Sequence, residues 1–148
     1  GANPLGECRQ IVEAFHIRRA EPAALPLAPV EDKLDRLLQL ESRLLAAEYH
    51  GYRLLTMQAR GQEAGIAGMV TKHNTSQLMY DLGLLAMDVM GDRGALANGE
   101  AAAPFSGMFV NAYMWAFGML IGGGTANIQR NIISERGLGM PRDPASKR

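Results

Sequence analysis

The chain holds one cysteine, Cys8, so it can build neither an intramolecular disulfide nor a paired-cysteine metal or redox site. A lone thiol suits a reducing compartment, and the cytoplasm is the expected location. An excess of one charge is missing too. Fifteen basic and fifteen acidic residues leave +0 at pH 7, so nothing global draws this surface to nucleic acid or to an anionic membrane. Aromatic residues amount to 6% and alternating β-branched runs are nearly absent, which removes the period-two pattern that strands are built on. No apolar run reaches the ~20 residues of a membrane span. The longest, Phe105 to Ile121, is interrupted by Ser106, Gly107, Asn111 and Gly118 and reads as a buried helix. The opening GANPLGECRQ lacks the basic-then-apolar pattern of a targeting leader.

What is present has globular composition. With 47% hydrophobic and 20% charged residues over 148 positions, the chain can bury a continuous core without staples. Helices must carry the fold, so the expectation is all-α: a helical bundle in a single domain over 1–148, with a polar, proline-broken tail at 140–148. A first helix is expected from about Leu5 to Arg19, turning Ile11, Val12, Phe15 and Cys8 inward. The AEPAALPLAP stretch that follows is rich in proline and reads as a linker or extended crossing. From about Glu31, Leu34, Leu37, Leu38, Leu44, Leu45, Tyr52 and Leu55 recur at helical steps. Asp32 is placed to pair with Arg36, and Gly61 marks the stop. A third helix, about Ala64 to Met90, is apolar on more than one face and should be central. Gly91, Gly94, Gly99 and Pro104 mark a loop. A fourth helix is expected from Phe105 to Leu120, with Tyr113, Trp115 and Phe117 read as core, and a fifth from Thr125 to Arg136.

The segment GGGTANIQRNIISER carries the most chemistry. Gly122, Gly123 and Gly124 lack β-carbons, so a phosphate-bearing ligand can approach the backbone, where amides at a helix start face it and Thr125 adds a hydroxyl. The same residues also describe a plain helix C-cap followed by an N-cap, and spacing alone does not separate the two. No Lys-Ser/Thr pair follows, which excludes a P-loop. Lys72, Arg130 and Arg136 are candidates for phosphates or for acidic neighbours, although exposed charge is the commoner fate. Glu13 and His16 form one Glu-x-x-His, but a di-iron site needs a second copy and two further glutamates. His50 and His73 stand without ligand spacing and read as helix-surface or core-edge hydrogen-bonding groups, so no metal is assigned.

The run GGGTANIQRNIISERGLGMPRD resembles the closing motif of acyl-CoA dehydrogenases, in which GGT or EGT leads into IQRNIIAER and LGLPR. Similarity extends upstream through LAMDVMGDRGAL, the Lys72-bearing helix and LLAAEYHGYRLLTMQARG, and is best over 29–139. It implies the carboxy-terminal four-helix domain of a larger subunit that also has an amino-terminal helical domain and a middle β-domain. The implied cofactor is FAD and the implied substrate an acyl-CoA thioester, dehydrogenated at its α,β bond as a carboxylate removes the α-proton and flavin accepts hydride. The implied partners are further subunits, in a homo-oligomer or a hetero-oligomer with related chains; neither nucleic acid nor a membrane is implied.

Residue by residue, the resemblance puts flavin-nucleotide contacts on Gly124, Thr125 and Asn127. A second family segment, Q-x-x-G-G, reaches a neighbouring subunit's FAD and aligns with Asp88, Gly91 and Asp92, where only Gly91 keeps the pattern. Aspartate at 88 replaces a donor with an anion, and Asp92 brings a second negative charge. The position where many members carry the catalytic glutamate is Gly123, which cannot abstract a proton. Some branches place that carboxylate on the helix opening the domain, where Glu7 and Glu13 stand, but a surface glutamate explains each equally well. The catalytic residue is therefore unassigned, and the chain alone is expected to be inactive. The alternative is a non-catalytic helical interaction module or accessory subunit derived from that family.

Overall fold

The computed structural model describes residues 6, 8–13, 16, 33–97 and 99–142. We label the helices α1 (Leu34–Ala59), α2 (Gly65–Met90), α3 (Met108–Ile121) and α4 (Ala126–Ile132). Tight 3-10 turns at Gly91–Ala95 and Pro104–Gly107 join α2 to α3, and a π-helical turn, Ile133–Gly137, prolongs α4. There is no strand among the described residues, so the all-α expectation holds. The described amino-terminal residues, 6, 8–13 and 16, are helical. Phe15, Glu7, the AEPAALPLAP stretch, Glu31, Asp32 and the tail from 143 lie outside the described residues.

Gly61 ends α1 as the sequence suggests. Its φ of +69° is cheap only for glycine. The Gly61 amide donates to Gln58 O at 2.9 Å and the Gln62 amide to Met57 O at 2.9 Å, which satisfies carbonyls the helix end would leave open. The chain then reverses, and α1 and α2 run antiparallel. Lys33 meets Asp88 at 2.8 Å, Arg43 meets Asp81 at 2.7 Å, and His50 Nε2 lies 3.0 Å from Ala67 O. The amino-terminal helical residues also run antiparallel to α1, pairing Arg9 with Glu48 and His16 with Glu41.

The core gathers around α2. Leu78, Met79, Leu82, Leu85, Ala86 and Val89 are buried there, against Cys8, Ile11 and Val12 on one side and Leu37, Leu40 and Leu44 of α1 on another. From the third side α3 contributes Phe109, Ala112 and Ala116. Gly83 sets the closeness of that last contact: a β-carbon there would sit 3.0 Å from Tyr113 Cα.

Three expectations are corrected. Leu38, Leu45, Tyr52 and Leu55 face outward, because the interior reaches α1 only along the narrower stripe of Leu37, Leu40 and Leu44. Arg36 also lies 3.8 Å from Asp88, across the helix pair, while Asp32, its expected partner, is outside the described residues. The apolar run after Pro104 does not start as a helix, because Phe105 and Ser106 adopt left-handed backbone (φ 51° and 55°) and regular α3 begins only at Met108. Nor is α3 a buried helix: Trp115 is 53% exposed, and Met114, Phe117 and Ile121 are also exposed. Tyr113 stacks on Tyr80 with ring centres 5.8 Å apart and meets Phe117 edge-on at 5.1 Å. Among the described residues no single helix is long and apolar enough to cross a membrane.

Candidate functional site

The glycine turn between α3 and α4 is built by three successive backbone choices. Gly122 leaves α3 in extended geometry, its amide donating to Gly118 O at 2.8 Å. Gly123 and Gly124 then take φ of +69° and +97°, which reverses the chain within two residues and explains why side chains are absent there. Thr125 returns to extended backbone as the N-cap of α4, its Oγ1 accepting from the Ile128 amide at 3.5 Å and its C=O accepting from the Gln129 amide at 2.9 Å. Because the Thr125 oxygen serves the cap as acceptor, its O–H proton is left to donate to another group.

Two side chains fix which way this turn faces. Gln129, one turn into α4 and only 6% exposed, donates from Nε2 to Gly123 O at 2.6 Å. Lys72, on α2, donates from Nζ to Gly124 O at 2.6 Å. Each peptide unit is planar and trans, so its N–H points opposite to its C=O. With the carbonyls of 123 and 124 drawn inward, the amides of Gly124 and Thr125 are directed outward. Gly123, Thr125, Asn127 and Ile128 are exposed, so that outward side is open.

The surroundings are cationic. Lys72 on α2 reaches the turn from below, and Arg130 on α4 donates to Asn127 Oδ1 at 3.4 Å. Burial, then Arg130 and Lys72, hold the His73 imidazole below its ordinary value of 6.5, so it is neutral at pH 7. This arrangement offers an anion several N–H donors and the positive charges of Lys72 and Arg130.

The sequence-derived residues do not all converge. Gly124, Thr125 and Asn127 lie together at the turn. Gly123 belongs to it, and a side chain at 123 would start 3.7 Å from Lys72 Cε, so the site has room for one while the backbone favours glycine. Gly91 lies elsewhere. It closes the far end of α2 with φ 55°, ψ −138°, and at 1.5 Å per residue it is about 28 Å along the helix from Lys72. Asp88 beside it is held by Lys33 and Arg36, so its charge is countered within the chain. Glu13 is exposed and Arg136 is exposed. Lys72, which sequence reasoning treated as a surface charge or a phosphate ligand, is a backbone clamp. Gln129 was not singled out at all. Its place four residues after Thr125, one helical turn on, was the available signal.

The protein family described as "Acyl-CoA dehydrogenase, C-terminal domain" matches residues 1–138. The chain belongs to the acyl-CoA dehydrogenase family. Acyl-CoA dehydrogenase IpdE1 of Mycobacterium tuberculosis is 34% identical over 146 residues, which cover 97% of this chain and 36% of that protein. Among solved structures, the Tcur3481-Tcur3483 steroid ACAD superposes with a TM-score of 0.79 at 18% identity, over 94% of this chain and 35% of its own. The FAD complex of PigA superposes at 0.72 with 21% identity, over 92% of this chain and 34% of its own. The chain thus spans about a third of the length of the acyl-CoA dehydrogenase relatives it matches.

Proposed function

We propose that this chain works as the carboxy-terminal domain of an FAD-dependent acyl-CoA dehydrogenase, forming one wall of the flavin site and part of a subunit interface. The observation that carries the reading is the orientation of the glycine turn: inward carbonyls, outward amides and an N-cap hydroxyl free to donate, set among Lys72, His73 and Arg130. That donor set matches the diphosphate and ribityl oxygens of a dinucleotide and offers nothing to an apolar ligand. Gly124, Thr125 and Asn127 are the residues we assign to the cofactor in this turn, with Gly91 meeting a cofactor held by another subunit. When bound, FAD supplies the two-electron acceptor for α,β-dehydrogenation of an acyl-CoA. This chain's own share is to bind and orient. Glycine at 123 carries no base, so proton abstraction falls to another carboxylate of the complete enzyme.

A partner subunit, identical or related, is supported by the uncovered apolar side of α3, Met114, Trp115, Phe117 and Ile121. The relative described as the Tcur3481-Tcur3483 steroid ACAD carries two chain names. Residues 1–148 act as one helical domain in this reading, and the single buried Cys8 suits the cytoplasm.

A titration of the ¹⁵N-labelled chain with FAD tests the cofactor assignment. Weak, saturable shifts centred on Gly124, Thr125 and Asn127 are expected, since one wall supplies only part of a dinucleotide's contacts. Submicromolar affinity, or shifts confined to other surfaces, contradicts it.

A further inference from the structure

We propose that Lys72 and Gln129 are positioning residues that hold the glycine turn in its ligand-facing register, gripping the Gly124 and Gly123 carbonyls from behind so that the adjoining amides stay outward. The proposal rests on the flavin reading above and adds to it two residues that do not themselves touch the cofactor.

The geometry is specific. Two consecutive carbonyls, on residues whose positive φ is otherwise weakly constrained, are each met at 2.6 Å by a donor from a different helix. A glycine pair with nothing to hold it can rotate its peptide planes at little cost, which would swap an outward N–H for an outward C=O and present an anion with an acceptor. Lys72 supplies a charge-assisted bond across 52 residues of sequence, from the central helix, so the turn is referred to the most buried part of the fold.

Gln129 adds a second sign. Its side chain is buried, Nε2 is committed to Gly123 O, and Oε1 has no partner among the described residues. Turning the amide over would set Oε1 against the Gly123 oxygen, so the assignment of donor and acceptor is forced. Burying an unpaired carbonyl oxygen is unfavourable, and an apolar residue would fill the same space without that cost. What glutamine provides in return is the grip on the turn. The site is tight as well: a β-carbon at 124 would lie 3.1 Å from Gln129 Nε2.

The experiment compares the full chain with Lys72→Met, Lys72→Arg and Gln129→Met, following carbonyl-carbon and amide resonances without ligand and then during titration with FAD. Lys72→Met and Gln129→Met should move the Gly124 and Gly123 carbonyl resonances respectively, leave the amides of α1 and the buried half of α2 in place, and each weaken FAD by about tenfold, the loss of one anchor of the turn. Lys72→Arg, which keeps a cationic donor, should restore most of the affinity. Carbonyl resonances that do not move overturn the clamp. Carbonyl resonances that move while the FAD midpoint stays at the parent value overturn the positioning role and leave only a structural tie. A parent chain that shows no FAD response at Gly124 and Thr125 contradicts the flavin reading itself, and the positioning role falls with it.

Discussion

Helices α2 and α3 are both strongly apolar, yet the fold treats them differently. Ten residues of α2 are buried, on several faces, because α1, the amino-terminal helical residues and α3 surround it. In α3 only Phe109, Ala112 and Ala116 are buried, and Met114, Trp115, Phe117 and Ile121 face out. Hydrophobic composition states that a surface prefers to leave water; it does not state what will cover it. For α2 the cover lies within the chain. For α3 no cover is found among the described residues, and the glycine turn at its end sits at the margin of that exposed face.

The contrast breaks if core truncation in α2 costs no more than truncation on α3. Leu82→Ala, at a fully buried core position, should lower stability by about 2–5 kcal/mol in chemical denaturation. Gly83→Ala probes the seam between the two helices. With Tyr113 Cα only 3.0 Å from the new β-carbon, α3 must shift, and a loss of about 1–3 kcal/mol is expected. Thr125→Ala removes the cap where α3 hands over to α4 and should cost about 0.5–1 kcal/mol, at the low end for caps because the bond is long at 3.5 Å.

The His73 imidazole on α2 gives a pH test. Its folded value is depressed by burial and by Arg130 and Lys72, so the stability it contributes is complete above 6.5 and is lost as pH falls through the folded value. His73→Gln should flatten that part of the acid-side slope in denaturant midpoints. The smallest effect belongs to the exposed face: Trp115→Ala should stay within about 0.5 kcal/mol for the chain by itself. A loss as large as that of Leu82→Ala would erase the distinction.

Helix order, the stop at Gly61 and the central place of α2 follow from local rules: periodicity, a left-handed glycine and apolar residues on several faces. The triple glycine likewise marks a sharp turn before a capped helix. What local rules miss are relations between distant residues. Nothing near Lys72 says that its amine will meet the carbonyl of Gly124, and a glutamine inside IQRN looks like an ordinary polar helix residue. The outward turn of Tyr52, Leu55 and Trp115 was equally hidden, because an apolar stripe looks alike whether it faces the chain's own core or another molecule. Phe105 and Ser106 in left-handed backbone defy propensity outright, and the helix start moved to Met108 with them.

The claim on which the functional account turns is that the outward amides of the glycine turn meet a dinucleotide's phosphates. A crystal structure of the chain grown with FAD decides it. The account predicts diphosphate or ribityl oxygens within hydrogen-bonding distance of the Gly124 or Thr125 amide, with Lys72 and Gln129 still holding the two carbonyls from behind. Flavin seated away from the turn, or a turn whose carbonyls face the ligand, would contradict it.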